Sequence, residues 1–343
     1  MEYGYSLETV CPPRGRVLEE LTAFLAAAGL GFAHGVEYTA LIRDISNRIR
    51  AAASLEGNVV KCVAVDPALQ GEGLTATLLT ALRQKALAAG RRRLFLYTKP
   101  ENRPQFTALG FYEVARAGEA VLMEDRRGGF EEWAGSIRSP AARAPVGAAV
   151  LNCNPMTLGH RYLIEQAARA CGFLYVLVVS EDKSAVPASD RRAIVESVCR
   201  DMPNVAVAGT GEYLISSATF PDYFLKDRAR AGAVWTALDI AVFCRLARTL
   251  GITRRFVGSE PFCPVTAAYN RAMALALPEQ GVELVELPRL EQDGAAVSAT
   301  AVRRLVCAGR WRETERLVPA ETFAWLAREE NRRLLERAEA GER

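Results

Sequence analysis

From residue 147 onward, short runs of Val, Ile, Leu and Ala keep giving way to helical patterns, and this alternation restricts the fold more than any other feature. Runs at 147–151, 173–179, 205–208, 255–257 and 282–287 read as strands, with helices expected at 189–200, 236–250 and 264–277 and over most of the remainder. Strands that are continuously apolar, rather than alternating, are buried on both faces, which requires a parallel sheet covered by helices. Ligands of such sheets sit beyond the C-terminal ends of the strands. Asn154, Lys183, Gly258 and Ser298 each follow an expected strand, so one shared site is expected there.

The stretch 152–160 holds the densest chemistry. The turn-forming Asn152-Cys-Asn-Pro155 ends the first strand, and a helix with Leu163, Ala167 and Ala170 on one face follows. Strand, tight loop and helix start together have the geometry of a phosphate site. Gly159 would let backbone approach a ligand, and His160, one of two histidines, falls in the first helical turn. The same residues also fit a Thr157 N-cap followed by an incidental histidine. Ser298 similarly fits either a ligand contact or the cap of the helix bearing Val302, Leu305 and Val306.

A length of 343 residues accommodates about two domains. Formal net charge is +3, with basic and acidic residues interspersed, which argues against nucleic acid as the main partner. The eight cysteines include no C-x-x-C pair and several lie in apolar runs, so reduced thiols and a cytoplasmic protein are expected. No signal peptide or membrane-spanning window is expected.

Ahead of the alternating region, a helix is expected at 17–28 and a strand at 58–65. A glycine-rich loop, a helix at 75–89, a strand at 94–97 and a short helix running into a further strand near Phe111 follow. Residues 43–52 fit strand or helix equally, and His34 reads as a loop or core residue. A linker is expected at 126–146, between domains at 1–125 and 147–343.

Two signatures carry a resemblance. Thr157-Leu-Gly-His160 resembles H-x-G-H of the nucleotidyltransferase superfamily, with threonine at the first histidine, and Val297-Ser-Ala-Thr-Ala-Val-Arg303 resembles its I-S-x-T-x-x-R. The words Asn154-Pro-Met-Thr-Leu-Gly-His-Arg-Tyr-Leu-Ile-Glu-Gln-Ala167 and Arg255-Phe-Val-Gly-Ser-Glu-Pro-Phe-Cys263 narrow this to the citrate lyase ligase family. Those bacterial enzymes use ATP and acetate to acetylate the thiol prosthetic group of citrate lyase. The resemblance implies a Rossmann-like parallel-sheet domain with His160, Thr157, Lys183 and Arg303 as catalytic residues. It also implies Asn154, Pro155, Gly159, Arg191, Gly258, Ser259, Glu260, Ser298 and Thr300 as ATP contacts. Mg²⁺ would arrive with ATP, and the partner would be the acyl carrier subunit of citrate lyase with its dephospho-CoA-type arm. Ala218-Thr-Phe-Pro221, Asp239 and Tyr269-Asn270 resemble the ligases rather than the wider superfamily.

Residues 15–125 resemble the GNAT acetyltransferase fold, an α+β domain. Gln70-Gly71-Glu-Gly73 matches its pyrophosphate loop, with Thr75 where Gly or Ala is usual, and Leu109-Gly-Phe111 matches a later word. The tyrosine that GNAT enzymes commonly use as general acid falls on Phe106, which has no proton to give. Gln70, Gly71 and Gly73 are therefore expected to hold the carrier arm, or merely to make a tight turn. Two rival readings stay open: an adenylyltransferase acting on phosphopantetheine or nicotinamide mononucleotide, and a non-catalytic sensor of nucleotide and CoA.

Overall fold

The computed structural model describes residues 4–33, 35–181, 184–214, 230–260 and 263–341. His34, Lys183 and the word at 218–221 lie outside the described residues. The chain divides into two compact units, Met1–Gly129 with Ser217–Ala241, and Phe130–Ser216 with Val242–Arg343.

In the first unit, β1 (Tyr5–Val10), α1 (Gly15–Ala27), β2 (Tyr38–Asp44), β3 (Ile49–Glu56) and β4 (Val59–Val65) precede α2 (Leu74–Ala88). β5 (Phe95–Thr98), α3 (Arg103–Ala108), β6 (Tyr112–Ala117) and β7 (Ala120–Glu124) follow. The sheet order is β1-β2-β3-β4-β5-β7-β6. The undecided stretch at 43–52 is the β2–β3 hairpin. Both strands are buried almost throughout, so the period-2 signal that marks a half-exposed strand is missing. β4 and β5 are parallel but pair only through Val59–Phe95 and Val60–Leu96. Beyond those pairs the rest of β4 runs on unpaired with β5 toward the loop at 70–73.

The stretch expected as a linker contains α4 (Gly129–Ile137). Phe130 and Ala134 are fully buried, and the Phe130 and Trp133 rings lie 5.0 and 4.7 Å from the Tyr213 ring. The helix is thus held by packing with residues distant in sequence, which local composition does not reveal.

The second unit continues with β8 (Val146–Leu151), α5 (Leu158–Arg169), β9 (Phe173–Val178), α6 (Ala188–Val198) and β10 (Val205–Gly209). Then come α7 (Ala231–Leu250), of which only the residues from Val242 on belong to this unit, β11 (Ile252–Gly258), α8 (Pro264–Ala276), β12 (Glu283–Leu287) and a small hairpin, β13 (Glu291–Gln292) with β14 (Ala295–Ala296). α9 (Ala299–Cys307), α10 (Trp311–Leu317), α11 (Ala320–Leu326) and α12 (Glu329–Glu339) close it. The five-stranded sheet has the order β10-β9-β8-β11-β12, all pairs parallel. Every residue of β9 is buried. At about 1.5–3 kcal/mol for each large apolar side chain, that strand alone anchors the sheet interior. Strand order reverses between β8 and β11, so the loops leaving these two strands flank the crevice in which open α/β sheets hold ligands. Among the described residues no helix is long and apolar enough to cross a membrane.

Candidate active site

The loop after β8 enters α5 through Thr157, which is 1 % exposed. Its Oγ1 accepts the His160 N–H at 3.4 Å, while the Thr157 N–H donates to His160 Nδ1 at 3.0 Å. Thr157 is therefore the N-cap, as one reading of the sequence held, and the histidine three residues on completes a capping box. With Nδ1 accepting, the neutral ring carries its proton on Nε2. Burial, with the Arg289 charge adding to it, pushes the His160 pKa down to about 4. The group is a neutral N–H donor at physiological pH, neither a cation nor a base with a proton to take up.

Gly159 makes the close approach expected of it, but to protein. A Cβ there would stand 3.0 Å from the Val297 carbonyl oxygen. The glycine thus lets the start of α5 lie against the residue that leads into α9, and the two signatures meet. Ser298 caps α9, its Oγ accepting from Ala301 N at 3.2 Å. Arg303 Nη1 donates to the Asn154 carbonyl at 2.7 Å, Nη2 to Thr300 Oγ1 at 3.4 Å, and Nε to Glu339 Oε1 at 2.5 Å. Asn154, Ser298, Thr300 and Arg303 are thereby gathered around one loop, with Pro155 buried inside it.

Arg191, expected at the phosphates, is 0 % exposed. Nε donates to the Val186 carbonyl at 3.0 Å, Nη1 to Asn152 O at 2.9 Å and Oδ1 at 2.5 Å, and Nη2 to the Glu181 carbonyl. The cation is spent inside the protein, tying the loop after β8 to the segment after β9. Hydrogen bonds to a charged group contribute about 1.5–3 kcal/mol each, so this clamp fixes the loop firmly. Asn154 adds to it, its Oδ1 accepting from Val186 N at 2.9 Å.

On the other side of the crevice, the Gly258 carbonyl accepts from Asn270 Nδ2 at 3.1 Å, and Ser259 N–H donates to the Leu287 carbonyl at 2.8 Å. The nearest atom to a Cβ at Gly258 would be Leu163 Cδ1 of α5, at 3.6 Å, so this loop and α5 are neighbours. Glu260 pairs with Arg289 and accepts the Cys263 N–H at 3.1 Å. Asp239 is buried in α7. Among the described residues no group of three or more His, Cys, Asp or Glu side chains is arranged to hold a metal ion.

In the first unit, Gly71 and Gly73 take left-handed φ values of +92° and +76°, with nothing within 4 Å of a built Cβ. α2 begins at this loop without a side-chain cap, so its first N–H groups are not answered by a capping side chain. Phe106 is buried and packs edge-on to Phe111 at 6.2 Å. It belongs to the core and takes no part in proton transfer.

Comparison with known proteins gives matches over both units. The family "Citrate lyase ligase C-terminal domain" matches residues 146–326 and "Acetyltransferase (GNAT) family" residues 33–115. The Klebsiella pneumoniae citrate (pro-3S)-lyase ligase is 42% identical over 84% of this chain and 86% of its own. This chain belongs to the citrate lyase ligase family. The Escherichia coli K12 ligase is 38% identical over 90% of each chain, and the Haemophilus influenzae ligase 35% over 90% of this chain and 95% of its own.

In this citrate lyase ligase family member, sequence reasoning overlooked Arg289. Its only signal in the sequence is that it follows the last sheet strand at the end where ligands collect.

Proposed function

We propose that the chain is an ATP-dependent ligase that activates acetate as acetyl adenylate and passes the acetyl group to the thiol of the prosthetic group on the acyl carrier subunit of citrate lyase. The observation that carries this reading is the meeting of α5 and α9 at Gly159 and Val297, beside the loop at 258–260, in a chain of this family. In the first step an acetate oxygen bonds to the α-phosphorus of ATP as the bond to the pyrophosphate oxygen breaks, and pyrophosphate leaves with that electron pair. Acetate is already ionised at neutral pH, so no general base is required. In the second step the carrier thiolate attacks the acyl carbon, AMP departs with the electron pair of its phosphoryl–acyl bond, and the thiol proton goes to solvent.

Catalysis of such a displacement rests on positioning and electrostatics. His160 donates Nε2–H to the phosphoryl oxygens, together with the first N–H groups of α5. Ser298, Thr300 and Arg303 hold the β- and γ-phosphates, and Lys183, outside the described residues, adds charge. Gly258, Ser259 and Glu260 face the nucleoside. Asn154 and Pro155 shape the loop, and Arg191 positions it from beneath. Mg²⁺ enters as the counter-ion of ATP. All eight cysteines are free thiols, which suits the reducing cytoplasm.

Pyrophosphate release tests the reading against adenylyltransfer. ATP is supplied with acetate, phosphopantetheine, nicotinamide mononucleotide or nothing. Acetate alone should stimulate release, and AMP should accumulate once carrier is added. Stimulation by either of the nucleotidyl acceptors, with AMP retained in the product, would replace the ligase reading.

The loop at 70–73 of the first unit receives the carrier's dephospho-CoA-type arm, its pyrophosphate lying on the uncapped start of α2. Gly73→Val should then slow thiol acetylation at least about tenfold while acetyl adenylate forms normally without carrier. The strain of a side chain at positive φ is about 1–2 kcal/mol, which a domain of this size tolerates. Equal loss of both half-reactions in a folded variant would make the loop purely structural.

A further inference from the structure

We propose that Arg289 is a catalytic residue of this site, the guanidinium that brings positive charge to the α-phosphoryl group of the bound nucleotide. The inference rests on the adenylation reading above and goes beyond it in naming the cation. A triphosphate at the crevice needs positive charge at its α-phosphoryl group as well as at the β- and γ-phosphates, to which the reading above assigns Arg303, with Lys183 adding charge, and the groups around the start of α5 supply little of it. Thr157 has none. His160 is neutral across the physiological range. Arg191 is buried and spends its guanidinium on three backbone carbonyls and an amide oxygen. Arg303 is engaged by Glu339, Asn154 and Thr300.

Arg289 is differently placed. It leaves the loop after β12, next to the end of β11, and two of its three nitrogens are pinned. Nε donates to the Ser259 carbonyl at 2.7 Å and Nη2 pairs with Glu260, whose side chain is 7 % exposed. Among the described residues Nη1 has no partner. The side chain as a whole keeps 27 % exposure. Its charge acts on His160, across the crevice from the loop it is tied to. A cation held in advance by neighbouring groups needs no rearrangement when charge builds on the phosphoryl oxygens. The planar fork also lets one edge serve Glu260 while the other meets an oxyanion, which an ammonium group cannot do in the same way.

The test uses the full chain and its two histidines, whose imidazole ¹H–¹⁵N signals are few enough to follow singly, with His160→Ala assigning the one that matters. Inorganic tripolyphosphate is the probe. Arg289→Gln should raise the pH at which His160 titrates and weaken tripolyphosphate binding about tenfold or more. It should also lower acetate-dependent pyrophosphate release by about 10². Arg289→Lys, which keeps the charge, should retain most of the tripolyphosphate affinity yet recover turnover only in part, and it guards against a folding defect in the Gln variant. Glu260→Gln combined with Arg289→Gln removes the negative charge that faces the altered side chain in the single variant, and its binding should remain weak. Unchanged tripolyphosphate affinity in folded Arg289→Gln, or affinity restored in the double variant, would overturn the assignment. If wild-type protein binds tripolyphosphate through Arg289 but acetate never stimulates pyrophosphate release, the adenylation reading fails and the anion contact stands.

Discussion

His160→Ala should lower acetate-dependent pyrophosphate release by about 10²–10³, the usual cost of losing one donor to a developing phosphoryl charge. The same change removes half of the capping box of α5, so part of the loss could come through the helix start. Loss of a cap costs about 1 kcal/mol, too little to unfold a domain of this size. His160→Gln separates the two effects. A glutamine at this position can still reach back to the Thr157 N–H and keep the box, but it cannot present an imidazole Nε2–H. Helix and thermal stability should therefore return in the Gln variant while turnover stays low. Full activity in either folded variant would leave His160 as a cap and nothing more.

The protonation state sharpens this expectation. Because His160 titrates at about 4 in the fold, it contributes no pH dependence to turnover between pH 5 and 8. The unfolded chain takes up the proton near the ordinary value of about 6.5. The resulting contribution to stability is complete above that value, declines as the pH falls toward about 4, and changes no further below it. His160→Gln should flatten this part of a stability profile measured by denaturant midpoint across pH 4 to 7.

Labelled acetate should reach the carrier thiol only when ATP is present, and labelled acetyl-CoA should not reach it at all. This is an all-or-none difference, and it separates the chemistries open to the two units. A GNAT site would draw acetyl from acetyl-CoA without nucleotide. The position at which GNAT enzymes commonly keep a phenol is here a core phenylalanine, Phe106, packed on Phe111. The second unit gathers the nucleotide signatures at the switch point of its sheet. CoA itself should act as an inhibitor of the carrier step. Transfer from acetyl-CoA without ATP, at a rate matching the acetate reaction, would make the first unit the catalyst.

The parallel sheet was legible because buried parallel strands are continuously apolar, and the two loops at 152–160 and 297–303 were legible from their residue order. What escaped depended on contacts between residues far apart. Residues 43–52 were ambiguous because Ala51 and Ala52 sit in β3, a strand buried on both faces, and an Ala-rich run favours helix by propensity. α4 lies in a Gly- and Pro-rich stretch, and its length depends on Tyr213, which supplies packing from far along the chain. Arg191 and Arg192 look alike in sequence. One is wholly buried against backbone carbonyls and the other is an exposed partner of Glu196, and only tertiary structure tells them apart. Thr157 carries no charge at the position where the superfamily signature has a histidine, and the one sequence signal of Arg289, its place just after β12, does not by itself set it apart from other surface arginines.

The missing side chain at Gly159 has a consequence for how this half of the molecule responds to its ligands. Val297 fills the gap to within 3.0 Å of a would-be methyl, so the starts of α5 and α9 bear on each other like two stones of an arch. Neither can be drawn toward a phosphate without pressing on the other. On the proposed reading, a nucleotide gripped at one end would be aligned at the other without any loop having to travel, and the 137 residues between Gly159 and Val297 have to return the chain to that same joint.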